Sequence, residues 1–263
     1  MRALCNDIDV AWFEVGRGEP LILIHGLADD HRAWRRVLPD LVLRHRVLMY
    51  DLRGHGETSL GRPDHTLMQL AADLASLMKS IGVGSADVAG FSLGGTIAMR
   101  MAIDHPELVT RLVLVATSSR VGGTAADWYR RRVEMVEQED PELRATLDRD
   151  TADVYAQAPA ELDDGLLIRR QSTADPRGYG NACAAMAALN AAPLDPELAG
   201  ISAPTLIVAS DLDRHCPPKA AEIIAAGIKG SRLEIIPGAG HPIPVEKPGE
   251  LAGSINSFLA ARD

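Results

Sequence analysis

Gly90-Phe91-Ser92-Leu93-Gly94 stands directly between an apolar run, Ala86 to Ala89, and a helix-like stretch, Thr96 to Ala102. A chain passing from strand to helix through so short a turn must bend sharply, with backbone angles at its centre that only small neighbours tolerate. Glycines two residues either side let the turn close and the helix pack against the next strand. The turn lifts the central hydroxyl out of the sheet and aims the helix N-terminus at whatever carbonyl lies there. Ser92 is therefore a candidate nucleophile. Because G-x-S-x-G also occurs at ordinary surface turns, its setting and the partners found downstream carry the reading.

Around this turn, short apolar runs alternate with longer amphipathic stretches, the pattern of a parallel sheet covered by helices on both faces. Leu21 to Ile24, Val47 to Tyr50, Ala86 to Ala89, Leu112 to Ala116, Thr205 to Ala209 and Leu233 to Ile236 read as strands. Leu67 to Ile81, Thr96 to Ile103, Pro218 to Ile228 and Pro248 to Ala261 read as helices. From about Ser118 to Pro193 the rhythm breaks: no strand is legible, and segments such as Trp128 to Glu139, Pro141 to Tyr155 and Tyr179 to Leu189 have helical character. A helical insertion between two strands of one sheet most simply forms a cap above the crevice where open α/β sheets bind ligands. The expected organisation is a core of residues 1–117 and 194–263 with a helical cap of residues 118–193.

Composition narrows the function. With 263 residues, 46% of them hydrophobic, the chain can bury one substantial core. Its net charge of −9 and lack of any lysine/arginine block argue against nucleic acid and anionic membranes as partners. Asp7 and Asp9 interrupt the region where a signal peptide would be apolar, and no stretch reaches the length of a membrane helix, so a cytoplasmic protein is expected. Cys5, Cys183 and Cys216 are too far apart for a disulfide framework or a zinc-ligand spacing.

A serine hydroxyl is a weak nucleophile near neutral pH and requires a base, which in turn requires an orienting acid. Of eight histidines, His241 stands apart in Pro237-Gly-Ala-Gly-His-Pro, a glycine-rich loop directly after the last apolar run. Asp213 occupies the corresponding loop after the preceding run, giving the order Ser, Asp, His. Asp211 is its rival; Asp213 is preferred for standing four residues before Pro217. After Leu112 to Ala116 the chain reads Thr117-Ser118-Ser119, with no competing carboxylate.

His25 precedes Gly26 and Leu27 at a strand end, where the turn is expected to expose the Leu27 N–H toward the serine. With the Leu93 N–H it would form an oxyanion hole. His25 and His55 read as loop-ordering residues. The remaining histidines lack companions at metal-ligand spacing, so no metal site is expected.

His25-Gly26, Asp51-Leu-Arg-Gly-His-Gly, Gly90-Phe-Ser-Leu-Gly-Gly, Asp213 and Gly240-His241 together resemble, in order and spacing, the motifs of the α/β-hydrolase superfamily. Asp175-Pro-Arg-Gly-Tyr-Gly-Asn-Ala-Cys-Ala-Ala-Met and Pro204-Thr-Leu-Ile-Val resemble the 3-oxoadipate enol-lactonase group, while Cys216 and Pro242 depart from its pattern. Related esterases, acyl-homoserine lactonases and cofactor-free perhydrolases share much of the same pattern. The resemblance implies an α/β-hydrolase fold with a four-helix cap inserted after the sixth strand, a Ser92, Asp213, His241 triad, and no cofactor.

It further implies a serine hydrolase that opens a lactone or cleaves a small ester. Carbon–carbon hydrolysis, perhydrolysis and a non-turnover ligand receptor on the same scaffold remain alternatives, and homo-oligomerisation is left open. For the substrate, Arg130, Arg131, Arg132, Arg169 and Arg170 are candidate partners of carboxylates. Trp128, Tyr129, Tyr155 and Met186 are candidate pocket residues, against the plainer reading that they pack the cap.

Overall fold

The computed structural model describes residues 1–261. Among these, eight strands form one sheet: β1 (Arg2–Cys5), β2 (Ile8–Gly16), β3 (Pro20–Ile24), β4 (Arg46–Tyr50), β5 (Ala86–Phe91), β6 (Val109–Val115), β7 (Thr205–Ser210) and β8 (Arg232–Ile236). Their order is β1-β2-β4-β3-β5-β6-β7-β8. β3 to β8 run parallel, and β1 and β2 add an antiparallel edge through β4. All six apolar runs of the sequence become strands. β1 and β2, the antiparallel pair at one edge, are additional, because much of their surface faces solvent and no continuous apolar run marks them.

Ten α-helices accompany the sheet among the described residues: α1 (Leu38–Leu41), α2 (Leu67–Ser80), α3 (Leu93–Asp104), α4 (Gly123–Glu137), α5 (Leu143–Val154), α6 (Leu162–Ser172), α7 (Pro176–Ala188), α8 (Pro218–Gly227), α9 (Ile243–Glu246) and α10 (Pro248–Ala260). Successive strand side chains point to opposite faces, so one run of apolar residues supplies two cores. Ile22, Leu48, Val88 and Leu112 face α2, α3 and α8, while Leu21, Leu23, Val47 and Val113 face α1 and α10. α2 starts where Thr66 accepts a hydrogen bond from the Gln69 N–H at 3.1 Å, and it buries Leu67, Leu70, Leu74 and Leu77 along one stripe.

β4 and β5 lie on opposite sides of β3, so the chain reverses its direction of travel across the sheet at β3. The carboxyl ends of β3 and β5 therefore border a crevice. Between β6 and β7 the chain is helical, from α4 to α7, with α4 packed on α7 and α5 on α6. This excursion closes on itself where the Leu194 N–H donates to the Ser119 carbonyl at 2.8 Å, and residues 195–204 then carry the chain back to the start of β7. It is tied down elsewhere by Gly56 N–H to the Ser172 carbonyl at 3.0 Å and His65 N–H to Asn181 Oδ1 at 3.0 Å.

The tightest approach joins Gly178 of α7 to Gly54 in the loop after β4. A Cβ on Gly178 would lie 2.0 Å from the Gly54 carbonyl oxygen, so the two backbones meet only because neither residue has a side chain. Gly178→Ala is expected to lower unfolding free energy by about 1–3 kcal/mol in urea titrations. Gly123→Ala, at the open first residue of α4, is expected to change it by no more than about 0.5 kcal/mol. Equal effects of the two substitutions would show that the contact contributes nothing to stability.

Candidate active site

Ser92 sits between β5 and α3 with φ 53° and ψ −120°, a left-handed conformation rare for a residue with a side chain. The flanking glycines follow from sterics: a Cβ on Gly90 would lie 2.2 Å from the Gly94 carbonyl oxygen, and one on Gly94 would lie 2.3 Å from that of Ile24. The turn is held by the Ser92 N–H donating to the Val115 carbonyl at 2.9 Å. The Thr117 hydroxyl in turn donates to the Ser92 carbonyl at 2.7 Å.

The structure brings Ser92, Asp213 and His241 together from loops after β5, β7 and β8. His241 Nε2 lies 3.0 Å from Ser92 Oγ, and His241 Nδ1 lies 2.8 Å from Asp213 Oδ2. The other Asp213 oxygen accepts from the His215 and Cys216 N–H groups at 2.8 and 2.9 Å. Burial alone would raise the Asp213 carboxyl, but the adjacent His241 charge and these hydrogen bonds outweigh it and hold it below the ordinary carboxylate range. Asp211 is exposed and bonds to the His241 loop instead, accepting from the Gly238 N–H at 2.7 Å.

That loop is fixed at Gly240 on both sides of its peptide. The Ser210 hydroxyl donates to the Gly240 carbonyl at 2.6 Å, and Glu246 Oε2 accepts from its N–H at 2.7 Å. The second Glu246 oxygen is buried without a partner among the described residues, and burial raises this carboxyl. The sequence pattern had not marked Glu246 or Ser210, whose bonds to the loop exist only once the chain is folded.

The Leu27 and Leu93 N–H groups make no hydrogen bond among the described residues. His25 orders the loop carrying Leu27: its Nδ1 lies 2.8 Å from the Gly26 carbonyl, and its Nε2 accepts from the Leu52 N–H at 2.9 Å. These two contacts require the Nδ1–H tautomer. His55 Nδ1 lies 3.1 Å from the Arg53 carbonyl. Asp30, His31 and Asp51 bring three potential ligand atoms within 4.8 Å, a grouping that residue spacing had not suggested. They form a hydrogen-bonded set, in which Asp51 accepts from the His31 backbone and ring while Asp30 binds Arg32.

Ser92 and His241 open onto a cavity of about 570 Å³. Trp128 and Tyr129 of α4 line it, whereas Arg130, Tyr155 and Met186 do not. Arg130 points to solvent and pairs with Asp127, because consecutive helical residues face different directions. Met186 packs in the core beneath α7, and Tyr155 is buried with Ala158 and Val245. Arg169 and Arg170 reach the wall, joined by Arg144 of α5, which sequence reasoning had not singled out.

The chain belongs to the alpha/beta hydrolase fold family, whose pattern matches residues 19–248. It is an α/β hydrolase. A 2-hydroxy-6-oxo-6-(2'-aminophenyl)hexa-2,4-dienoic acid hydrolase of Metapseudomonas resinovorans is 27% identical over 97% of this chain and 89% of its own length. Among solved structures, the enol-lactonase from Burkholderia xenovorans LB400 superposes with a TM-score of 0.88 at 25% identity, covering 99% of this chain and all of that one. A thermophilic esterase from Thermogutta terrifontis gives 0.87 at 27%, covering 99% and 97%. No helix among the described residues is long and apolar enough to cross a membrane.

Behind the site, His55 is buried at 1% exposure, and burial, with a smaller contribution from His25, pushes its ring down to about 4. The unfolded chain, with a histidine near 6.5, binds this proton first, so the native state loses stability as pH falls from about 6.5 to about 4. The loss attributable to His55 is expected to reach about 3 kcal/mol at the acid end of that window. Urea midpoints of wild type and His55→Asn should therefore converge as pH falls from 7 to 4; parallel curves would contradict this assignment.

Proposed function

We propose that this chain is a serine hydrolase that opens a lactone or cleaves a small carboxylic ester through an acyl-enzyme. The observation that carries the reading is the continuous hydrogen-bonded line from Ser92 Oγ through the His241 ring to Asp213, at 3.0 and 2.8 Å. In this reading Ser92 attacks the carbonyl carbon while His241 Nε2 takes the hydroxyl proton, and Asp213 stabilises the imidazolium. The Leu27 and Leu93 N–H groups, which have no other acceptor among the described residues, receive the oxyanion.

Collapse expels the alkoxide or enolate, protonated by His241, and leaves the acyl group on Ser92. A water molecule then gives its proton to His241 and its oxygen to the acyl carbon, releasing the acid and restoring the serine. Residues 118–193 act as a cap whose α4 wall, with Trp128 and Tyr129, shapes the cavity above the serine. No cofactor enters these steps.

The likeness to the Burkholderia enol-lactonase supports an enol-lactone as the first substrate to try, and the resemblance of Asp175 to Met186 implies that of 3-oxoadipate. A second reading, carbon–carbon hydrolysis by the same serine, is supported by the Metapseudomonas relative and by a 2-hydroxy-6-oxo-2,4-heptadienoate hydrolase of Pseudomonas putida, also 27% identical. The test follows loss of enol-lactone absorbance, of a short-chain p-nitrophenyl ester and of a 2-hydroxy-6-oxo-dienoate. Turnover of the lactone or ester that disappears in Ser92→Ala supports the proposal. Exclusive turnover of the dienoate would replace it with the second reading.

Asp213→Asn is expected to lower kcat by about 10³–10⁴-fold, because the imidazole loses its orienting charge. Asp211→Asn is expected to stay within about 10-fold of wild type, since the lost bond is to an exposed loop amide. The reverse ranking in steady-state assays would reassign the acid.

A further inference from the structure

The four carboxylates around the cavity are accounted for within the protein. Asp29 binds Arg169 at 3.0 Å. Both oxygens of Asp148 are occupied by Arg170, at 2.9 and 2.8 Å, and both oxygens of Asp150 by Arg132, at 2.8 and 2.7 Å. Asp153 lies 3.4 Å from His215 with its own side chain largely in solvent. Arg144 differs: it is half-buried in the cavity wall, and among the described residues no carboxylate lies within ion-pair distance of it.

Arg144 is nevertheless held in place. Two of its N–H groups donate to Thr173, one to the hydroxyl at 3.1 Å and one to the carbonyl at 2.9 Å. Both acceptors are neutral, so they orient the guanidinium without compensating its charge, and three of its five N–H donors remain. Asp148, one turn along α5, feels the Arg144 charge after that of Arg170, but its oxygens are already engaged. A planar cation of this kind, fixed by neutral partners and facing the cavity that holds the serine, matches a carboxylate, which a guanidinium binds through paired N–H donors.

We propose that Arg144 binds a carboxylate on the acyl part of the substrate, so that the site selects small anionic esters or lactones over neutral ones. This rests on the hydrolase reading above. A carboxylate on the acyl part stays bound through both half-reactions, because that part remains on Ser92 until water releases it as a dicarboxylic acid.

The test compares p-nitrophenyl hydrogen glutarate and adipate with their neutral methyl esters. Wild type is expected to favour the anionic member by kcat/KM, and Arg144→Gln to reduce that preference by about 10- to 100-fold, the range for a hydrogen-bonded charge pair. Arg144→Lys should retain part of it, keeping the charge but losing the fork. Arg214→Gln, which removes an exposed cavity cation, should leave the ratio within about 3-fold.

An absence of anionic preference in wild type, or an equal loss on both substrates in Arg144→Gln, would overturn the proposal. Calorimetric binding of glutarate and adipate to Ser92→Ala, with and without Arg144→Gln, reads the same site without turnover. Arg144-dependent binding with no ester hydrolysis would keep the carboxylate site and remove the hydrolase reading. Hydrolysis without Arg144-dependent binding or preference would do the opposite.

Discussion

The site depends on holding Ser92 in a backbone conformation that a residue with a Cβ avoids, at a cost of about 1–3 kcal/mol. Neighbouring structure offsets this strain. β6 supplies the Val115 carbonyl for the serine amide, Thr117 caps the serine carbonyl, and Gly94 lets α3 approach the end of β3. Ala28 after β3 and Ala116 after β6 also have positive φ, so the loop ends flanking Ser92 on both sides are bent out of ordinary geometry. Tight bends at three adjacent strand ends leave the crevice open above the sheet while the strands beneath remain continuously paired.

Opposite Ser92, the two carboxylates of the β7 loop divide their work. Asp213 takes the His241 ring and two loop amides, while Asp211 takes the Gly238 amide of the histidine loop. Ser210 and Glu246 complete that loop's attachment through Gly240. The imidazole orientation therefore comes from several short-range bonds between β7, β8 and α9, and from the Phe91 ring 5.3 Å away.

Much of this was legible in the sequence because it depends on local chain. β3 to β7 are buried on both faces and read as continuous apolar runs. The serine and acid loops directly follow such runs, the histidine loop follows the half-exposed β8, and all three carry glycine or proline. β1 and β2 escaped because an edge pair with solvent-facing residues leaves no such signal. The cap arginines could not be sorted by sequence: Arg130 and Arg132 are two residues apart, yet one meets Asp127 at the surface and the other meets Asp150 beside the cavity. Arg169 is matched by Asp29, 140 positions away, and Arg144 is distinguished only by the carboxylates that its neighbours have taken. Such relations between distant residues have no sequence spacing to reveal them.

The closure of the α4–α7 excursion at Ser119 and Leu194 has a further consequence. Since the helical segment begins and ends at this one hydrogen-bonded point, residues 195–204 alone make the return that carries the chain from the end of β6 to the start of the parallel β7. The part of the chain that lines most of the cavity wall is thus topologically detachable from the part that positions Ser92, Asp213 and His241. Sequence drift, or replacement of the whole segment by another of different length, can alter what enters the cavity while leaving the register of β6 on β7 unchanged.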